Sequence, residues 1–353
     1  VALEYTNSTF SGLISVAGGK FKTTHSGQPG TLWEPKRFAG MAGAPDAPQS
    51  VLITNSYQYY FPGAATNHWN LTVSNAWFEP HQGALMIPNL TAHHGAVGFD
   101  RYADNLRNQT DMYAIDITNR IQVTGYSMVN LLAGTYLLPG GLFVGGGSVL
   151  GIRGNTGDIN AASGGTVGTP HGSGVTIYTP SAVIDGTINA VGGGFGGNAG
   201  PGYGYDGAAH GGKGGTFASP VYGSLTQPTA LGSGSQSRGG GAIRLVVGDS
   251  LSLNGTVDAS SEIGARCGSG GSVWLSASSF SGSGVIKAEG GCHTTYNYPG
   301  GGGRIALEYT NSTFSGLISV AGGKFKTAYS GQPGTLWEPK RFAGMAGAPG
   351  APQ

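Results

Sequence analysis

The stretch GAIRLVVGDSLSLNGTVDAS, from Gly241 to Ser260, reads as two short strands joined by a polar bend. Ile243 and Leu245 alternate with Arg244 and Val246, and in an extended chain an alternation of period two places them on one face. Gly248, Asp249 and Ser250 interrupt the run. Gly255 then opens a shorter element, G-x-[IV]-x-[AV], carrying Val257 and Ala259. Three further segments have the same layout: GVTIYTPSAVIDGTINAVGG from Gly174, GSVWLSASSFSGSGVIKAEGG from Gly271 and GRIALEYTNSTFSGLISVAGG from Gly303. Val175, Ile243, Val273 and Ile305 correspond, as do Gly186, Gly255, Gly284 and Gly316. A unit of about 20–30 residues with one apolar face cannot bury that face alone and must stack on its neighbours. The pattern therefore predicts an all-β fold, a parallel β-solenoid in which each segment is one rung. A β-sandwich or propeller is the alternative; both need antiparallel pairs with tight turns.

The last of these segments has a double. Val1–Gln49 aligns with Ile305–Gln353 without a gap, at an offset of 304 residues, and differs at four positions: Val1/Ile305, Thr24/Ala328, His25/Tyr329 and Asp46/Gly350. Each difference is of a kind that a single base transition in the codon produces. Convergence on a shared fold would preserve an apolar pattern, not loop residues such as Gln28 and Lys36. Near-identity over both points to a recent duplication, and a period whose start recurs reads as a window on a tandem array. A chain opening at Val1, whose counterpart Ile305 lies inside the strand GGRIALEY, is expected to be a piece of something longer. A single domain with homologous ends is the alternative. The organisation expected is residues 1–49 and 305–353 as the duplicated segment, 50–140 as a less regular β-rich part, and 141–304 as glycine-rich rungs.

Composition narrows the function classes. Only 10% of residues are charged and the net charge is +1, which argues against an electrostatic nucleic-acid binder or a polybasic membrane binder. No apolar run is long enough to span a bilayer as a helix. The 68 glycines follow no Gly-X-Y period, so the chain is not collagen-like. Most of them follow Gly140, and the stretch from Gly192 to Gly241 reads as a long excursion from one rung, either packed with tyrosines over glycine backbone or a loose loop. Within it, GYGYDG around Asp206 matches a calcium-binding G-x-G-x-D turn, in a single copy where calcium solenoids repeat it. No other cofactor is expected.

The phrases YGSLTQPTALGSGS, RGGGAIRLVV, LNGTVDAS, GSGGSVWLSA, GVIKAEGG and GGGGRIALEY resemble the glycine-rich repeats of very large bacterial surface proteins. The resemblance covers about Gly172–Pro339 and the first fifty residues. GQPGTLWEP, at Gly27 and Gly331, is similar to a GAGTIYLK phrase of such repeats, with Gln28 and Pro29 departing from it. The resemblance implies secretion and a right-handed β-helix, and implies no catalytic residues.

Residues 50–140 differ in texture, with more aromatics, Asn and charge. VLITNSYQYYF, NLTVSNAWF, ALMIPNLTA, MYAIDITNRIQVTG and LLAGTYLLPGGLFVGG read as strands with Asn, Pro and Gly breaks, hence as less regular rungs or as an inserted β-domain. GFDRYADNLRNQTDMY reads as a short helix or a loop.

Candidate sites are sparse. Cys267 and Cys292 each follow the G-x-[IV]-x-A element of successive rungs, so stacked loops would bring them within disulfide reach, and a bridge would imply an oxidising, extracellular setting. His293 is the nearest partner for a metal, but no C-x-x-C spacing accompanies it. Asn7, Asn70, Asn89, Asn108, Asn254 and Asn311 are glycosylation sequons. Asp100, Asp104, Asp111 and Asp116, with Arg101, Arg107 and Arg120, form the one acid cluster, at spacings that do not repeat with the rungs. His93 and His94 stand as an isolated pair. Tyr57, Tyr59, Tyr60 and Trp69 would suit a sugar groove if exposed; packing in the core or at an interface is the favoured reading.

The expectation is an extracellular structural repeat protein at the cell surface, not an enzyme. Its partners would be copies of itself, head-to-tail or lateral. An adhesin binding surface glycans or neighbouring cells is the first alternative, and a β-helix polysaccharide lyase or hydrolase the second.

Overall fold

The computed structural model describes residues 20–21, 25–26, 31–32, 49–54, 58–61, 67–80, 83–98, 113–153, 174–196, 198–215, 219–264, 266–292, 298–325 and 329–339. The chain is all-β, with parallel strands in two sheets. It divides into two compact units, Val1–Leu131 with Tyr136–Leu150, and Leu132–Thr135 with Gly151–Gln353.

The first unit holds β1 (Lys20–Phe21), β2 (His25–Ser26), β3 (Thr31–Leu32), β4 (Gln49–Thr54), β5 (Gln58–Phe61), β6 (Asn67–Ser74), β7 (Trp77–Pro80), β8 (Gly83–His93), β9 (Ala96–Gly98) and β10 (Tyr113–Thr124). β11 (Met128–Leu132), β12 (Gly134–Leu137), β13 (Leu142–Val144) and β14 (Val149–Arg153) follow. β4, β6, β8, β10 and β13 pair successively in parallel. β3, β5, β7, β9 and β11 do the same in the other sheet, so the chain visits the two sheets in turn. Register turns this into columns of side chains. Val51, Leu71, Leu90, Ile121 and Leu142 are successive Cα partners, and all are buried. Phe78, Val97 and Val129 form a buried column in the other sheet. Each such side chain contributes about 1.5–3 kcal/mol through burial. The strands expected between residues 50 and 140 are thus present, and β4–β11 pair in parallel.

The second unit continues with β15 (Val175–Ile184), β16 (Thr187–Asn189), β17 (Ala242–Leu253), β18 (Thr256–Asp258), β19 (Ser272–Ser281), β20 (Val285–Lys287), β21 (Arg304–Ser312) and β22 (Leu317–Ser319). It ends with β23 (Lys324–Phe325), β24 (Tyr329–Ser330) and β25 (Thr335–Trp337). Long strands β15, β17, β19, β21 and β25 pair in parallel, and short strands β16, β18, β20 and β22 likewise. The alignment read from the sequence is the pairing register itself. Val175 pairs Ile243, which pairs Val273, which pairs Ile305. Ile188, Val257, Ile286 and Ile318 follow the same rule on the short strands.

Two prolines sit inside strands without breaking them. The register slips at Pro88 in β8 and at Pro180 in β15. A bulge is the position in a central strand that tolerates a missing N–H. The glycines beside the strands serve close approach. A Cβ on Gly271 would lie 1.9 Å from the Gly241 carbonyl oxygen, one on Gly303 2.1 Å from that of Gly271, and one on Gly334 1.8 Å from that of Gly303. Gly255, Gly284 and Gly316 are stacked in the same way over Gly186, Gly255 and Gly284.

The expected excursion between β16 and β17 packs tightly rather than hanging loose. Ala208, Ala209 and His210 are fully buried. It hydrogen-bonds through its backbone, within itself from Gly232 N–H to Gly240 O at 2.8 Å and outward where Ala208 O accepts from Gly301 N–H at 2.9 Å.

The duplicated segments share local structure. β1 pairs β2 antiparallel with Lys20 opposite Ser26, and β23 pairs β24 with Lys324 opposite Ser330. They part at the next strand: β3 joins the short strands through Thr31 and Gln58, whereas its counterpart β25 joins the long strands through Thr335 and Arg304.

Candidate functional site

In the first unit, asparagines line up across three strands. Asn89 Nδ2 donates to Asn70 Oδ1 and Asn119 Nδ2 donates to Asn89 Oδ1, both at 2.7 Å. Asn70, Asn89 and Asn119 lie on β6, β8 and β10, one or two residues before the buried Leu71–Leu90–Ile121 column. Two of them were expected as glycosylation sequons. The Asn89 amide nitrogen, the atom a glycan would take, is committed to the ladder. Asn89→Ala strands an acceptor on Asn70 and a donor on Asn119, and is expected to cost about 2–4 kcal/mol. Exposed Asn254, which donates to Asp185 Oδ1 at 3.0 Å, is expected to lose less than about 1 kcal/mol on the same change. Denaturant unfolding of the two variants checks this. Asn311 is exposed, while Asn7 and Asn108 lie outside the described residues.

In the second unit the excursion builds a buried polar cluster. His210 Nδ1 faces the Gly270 carbonyl at 2.9 Å, and its ring lies 4.6 Å from that of Tyr222. Tyr222 Oη donates to Leu231 O at 2.6 Å and lies 2.7 Å from Ser233 Oγ. Arg304 Nε donates to Tyr222 O at 2.7 Å and its Nη1 to Thr335 Oγ1 at 2.9 Å. Gly223, at φ +81°, passes so close that a Cβ there would stand 3.1 Å from His210 Nε2. That nitrogen is buried with no hydrogen-bond partner among the described residues. Burial pushes the His210 pKa down to about 4, Arg304 adds to the shift, and the Gly270 carbonyl opposes it. Burial also raises the Tyr222 phenol. Together these groups are a neutral imidazole, a protonated phenol and a guanidinium whose donors go to backbone and Thr335. They tie the excursion to β21 and include no nucleophile with a base.

Two arginines stack on aromatics nearby. Arg244 lies 4.0 Å from the Trp274 ring and 5.6 Å from that of Tyr178. Arg266 lies 3.4 Å from Tyr205 and 5.5 Å from Tyr298. The exposed tyrosines are Tyr126, Tyr203 and Tyr205 among the described residues. Trp69 takes the core placement favoured for it over a sugar groove: it is fully buried, packed against Phe78 at 6.4 Å. The side chains of Tyr57, Tyr59 and Tyr60 lie outside the described residues.

Cys267 and Cys292, the expected bridge, lie on neighbouring stacked loops. Cys267 is buried beside Gly291, one residue short of Cys292, and donates to Gly264 O at 3.0 Å. Cys292 is half-buried and donates to Lys324 O. The two are unbridged in this structure. Burial raises the pKa of Cys267 to about 11 and raises that of Cys292. Asp206 is half-exposed, and no group of three His, Cys, Asp or Glu gathers anywhere among the described residues. Asp100, Asp104, Asp111, Arg101, Arg107 and His293 lie outside them; Asp116 and Arg120 are exposed on β10. His93 and His94 are exposed, with rings 4.3 Å apart, and His93 Nδ1 lies 3.0 Å from Thr124 Oγ1. No helix among the described residues is long and apolar enough to cross a membrane.

No protein-family model, curated protein or solved structure matches the chain. Neither this geometry nor the comparisons indicate an enzyme.

Proposed function

We propose that the chain is a structural repeat of an extracellular filament or surface stalk. It is a right-handed parallel β-solenoid in which repeats of about 304 residues follow one another in tandem. One observation carries the reading: four sequence-similar segments stack in one register, from Val175 through Ile243 and Val273 to Ile305. In such a stack every interior rung is hydrogen-bonded on both sides, so axial cohesion comes from the backbone. Glycine rows bring the backbones together and leave few side chains for chemistry. The low charge permits copies to pack side by side. Electron microscopy of the purified chain is the test. At about 4.8 Å per rung and about 25–30 residues per rung, filaments with an axial period on the order of 50 Å are expected. Discrete particles without an axial period overturn the reading.

A further inference from the structure

Residues 305–325 and 329–339 occupy one edge of the second unit. β21 lies on β19 from Ser272 opposite Arg304 to Phe280 opposite Ser312, and β22 lies on β20 from Val285 opposite Leu317 to Lys287 opposite Ser319. The glycine approaches of Gly316 to Gly284 and Gly323 to Gly291 seat the same segment. All of these contacts after Arg304 are available a second time. Ala2, Leu3, Gly12, Ile14 and Gly19 repeat Ala306, Leu307, Gly316, Ile318 and Gly323, and up to Gly323 the copies differ only by the methylene between Val1 and Ile305. The β19/β20 edge has little with which to tell one copy from the other.

The segment does not dictate its own partner. Thr31–Leu32 pairs with a short strand and the identical Thr335–Leu336 with a long one. The face beyond β22 is also incompletely covered: Leu317 is 59% exposed, and Ile318 is half-buried where its partner Ile286 is fully buried.

We infer that residues 1–21 of a second copy take the place of residues 305–325 on the β19/β20 edge, joining copies head to tail by exchange of near-identical segments. This rests on the structural-repeat reading and names the segment and register of the contact. The incoming copy enters with Ala2 opposite Trp274 and Ile14 opposite Ile286. Its chain past residue 49 then continues onto the face that β22 leaves open, at a period of 304 residues.

The test is a cross-chain disulfide between full-length chains. Ser276 pairs with Glu308, whose counterpart is Glu4. Parallel neighbours about 4.8 Å apart are within disulfide range. A Ser276→Cys acceptor is refolded with a Glu4→Cys donor at about 0.1 mM under oxidised glutathione, beside a wild-type acceptor that reports background from Cys267 and Cys292. The acceptor's own tethered segment competes at an effective concentration on the order of 1 mM, so about a tenth of acceptor chains are expected to cross-link. Adding Ile318→Asp to the acceptor weakens its own segment and is expected to raise the yield several-fold. No dimer above background with either acceptor overturns the exchange. Filaments of the expected period without the bond sink the exchange and leave the filament reading standing. The bond without filaments supports the exchange and sinks the filament reading.

Discussion

Gly271→Ala is expected to unfold the second unit, or to leave it at least about 3 kcal/mol less stable. The added Cβ would stand 1.9 Å from the Gly241 carbonyl oxygen and 2.6 Å from the Gly240 carbonyl carbon. These are backbone atoms, so no side chain can swing aside. The neighbouring rungs have no slack to give either, because Gly303 sits over Gly271 and Gly334 over Gly303 with the same closeness. Relief requires opening the strand spacing, and that weakens the β17–β19 ladder that holds Val273 and Leu275 in the core. Gly248→Ala is the control. A Cβ there meets nothing nearer than 3.6 Å, and it lies in the exposed bend of β17. Reduced freedom of the unfolded chain then stabilises by about 0.4–1 kcal/mol. Thermal and denaturant unfolding of both variants reads the contrast. Equal stabilities would mean that the glycine rows are compositional and not steric.

The same rows explain what the sequence discloses and what it withholds. Ile243, Val273 and Ile305 recur with matching glycines, because a rung stacked this closely leaves little freedom in spacing or residue type. Their register is readable by eye. The first unit stacks as regularly, yet Leu71 to Leu90 and Leu90 to Ile121 are unequal intervals. The difference lies in loops, which cost the fold little and hide the period. The asparagine ladder is obscured for that reason. Its trace is an Asn one or two residues before the apolar column, and sequon spelling gives Asn70 and Asn89 a more obvious meaning. Trp69 is flanked by polar residues, and alternation along β6 turns it inward with Leu71 and Val73, the core placement favoured for it. The excursion is the least legible part. Its core is made by backbone hydrogen bonds among glycines, and these leave no periodic side-chain signal. Nothing in the letters around His210 announces a fully buried imidazole.

That imidazole makes the second unit sensitive to acid. The His210 pKa stands at about 4 against an ordinary 6.5, with burial as the main cause. The folded state therefore resists the proton that the unfolded chain accepts. Above pH 6.5 both states are neutral and the group contributes no pH dependence. Between about 6.5 and 4 the unfolded chain binds a proton and the folded one does not, so stability falls as the pH falls. Below about 4 both are protonated and this contribution levels off. A gap of this size amounts to about 3 kcal/mol across the window. Arg304 works in the same direction by repelling the imidazolium, while the Gly270 carbonyl, facing Nδ1, works against it. The loss would appear first where His210 packs, at the Tyr222 ring and the Arg304 contact that bind the excursion to β21. His210→Gln carries no titrating group. Whatever its effect on absolute stability, its unfolding free energy is expected to change less between pH 6.5 and 4 than that of the parent chain. Identical slopes in parent and variant would show that the acid sensitivity arises elsewhere. A histidine resonance, absent in the variant, titrating near 4 in the parent would place it at this ring.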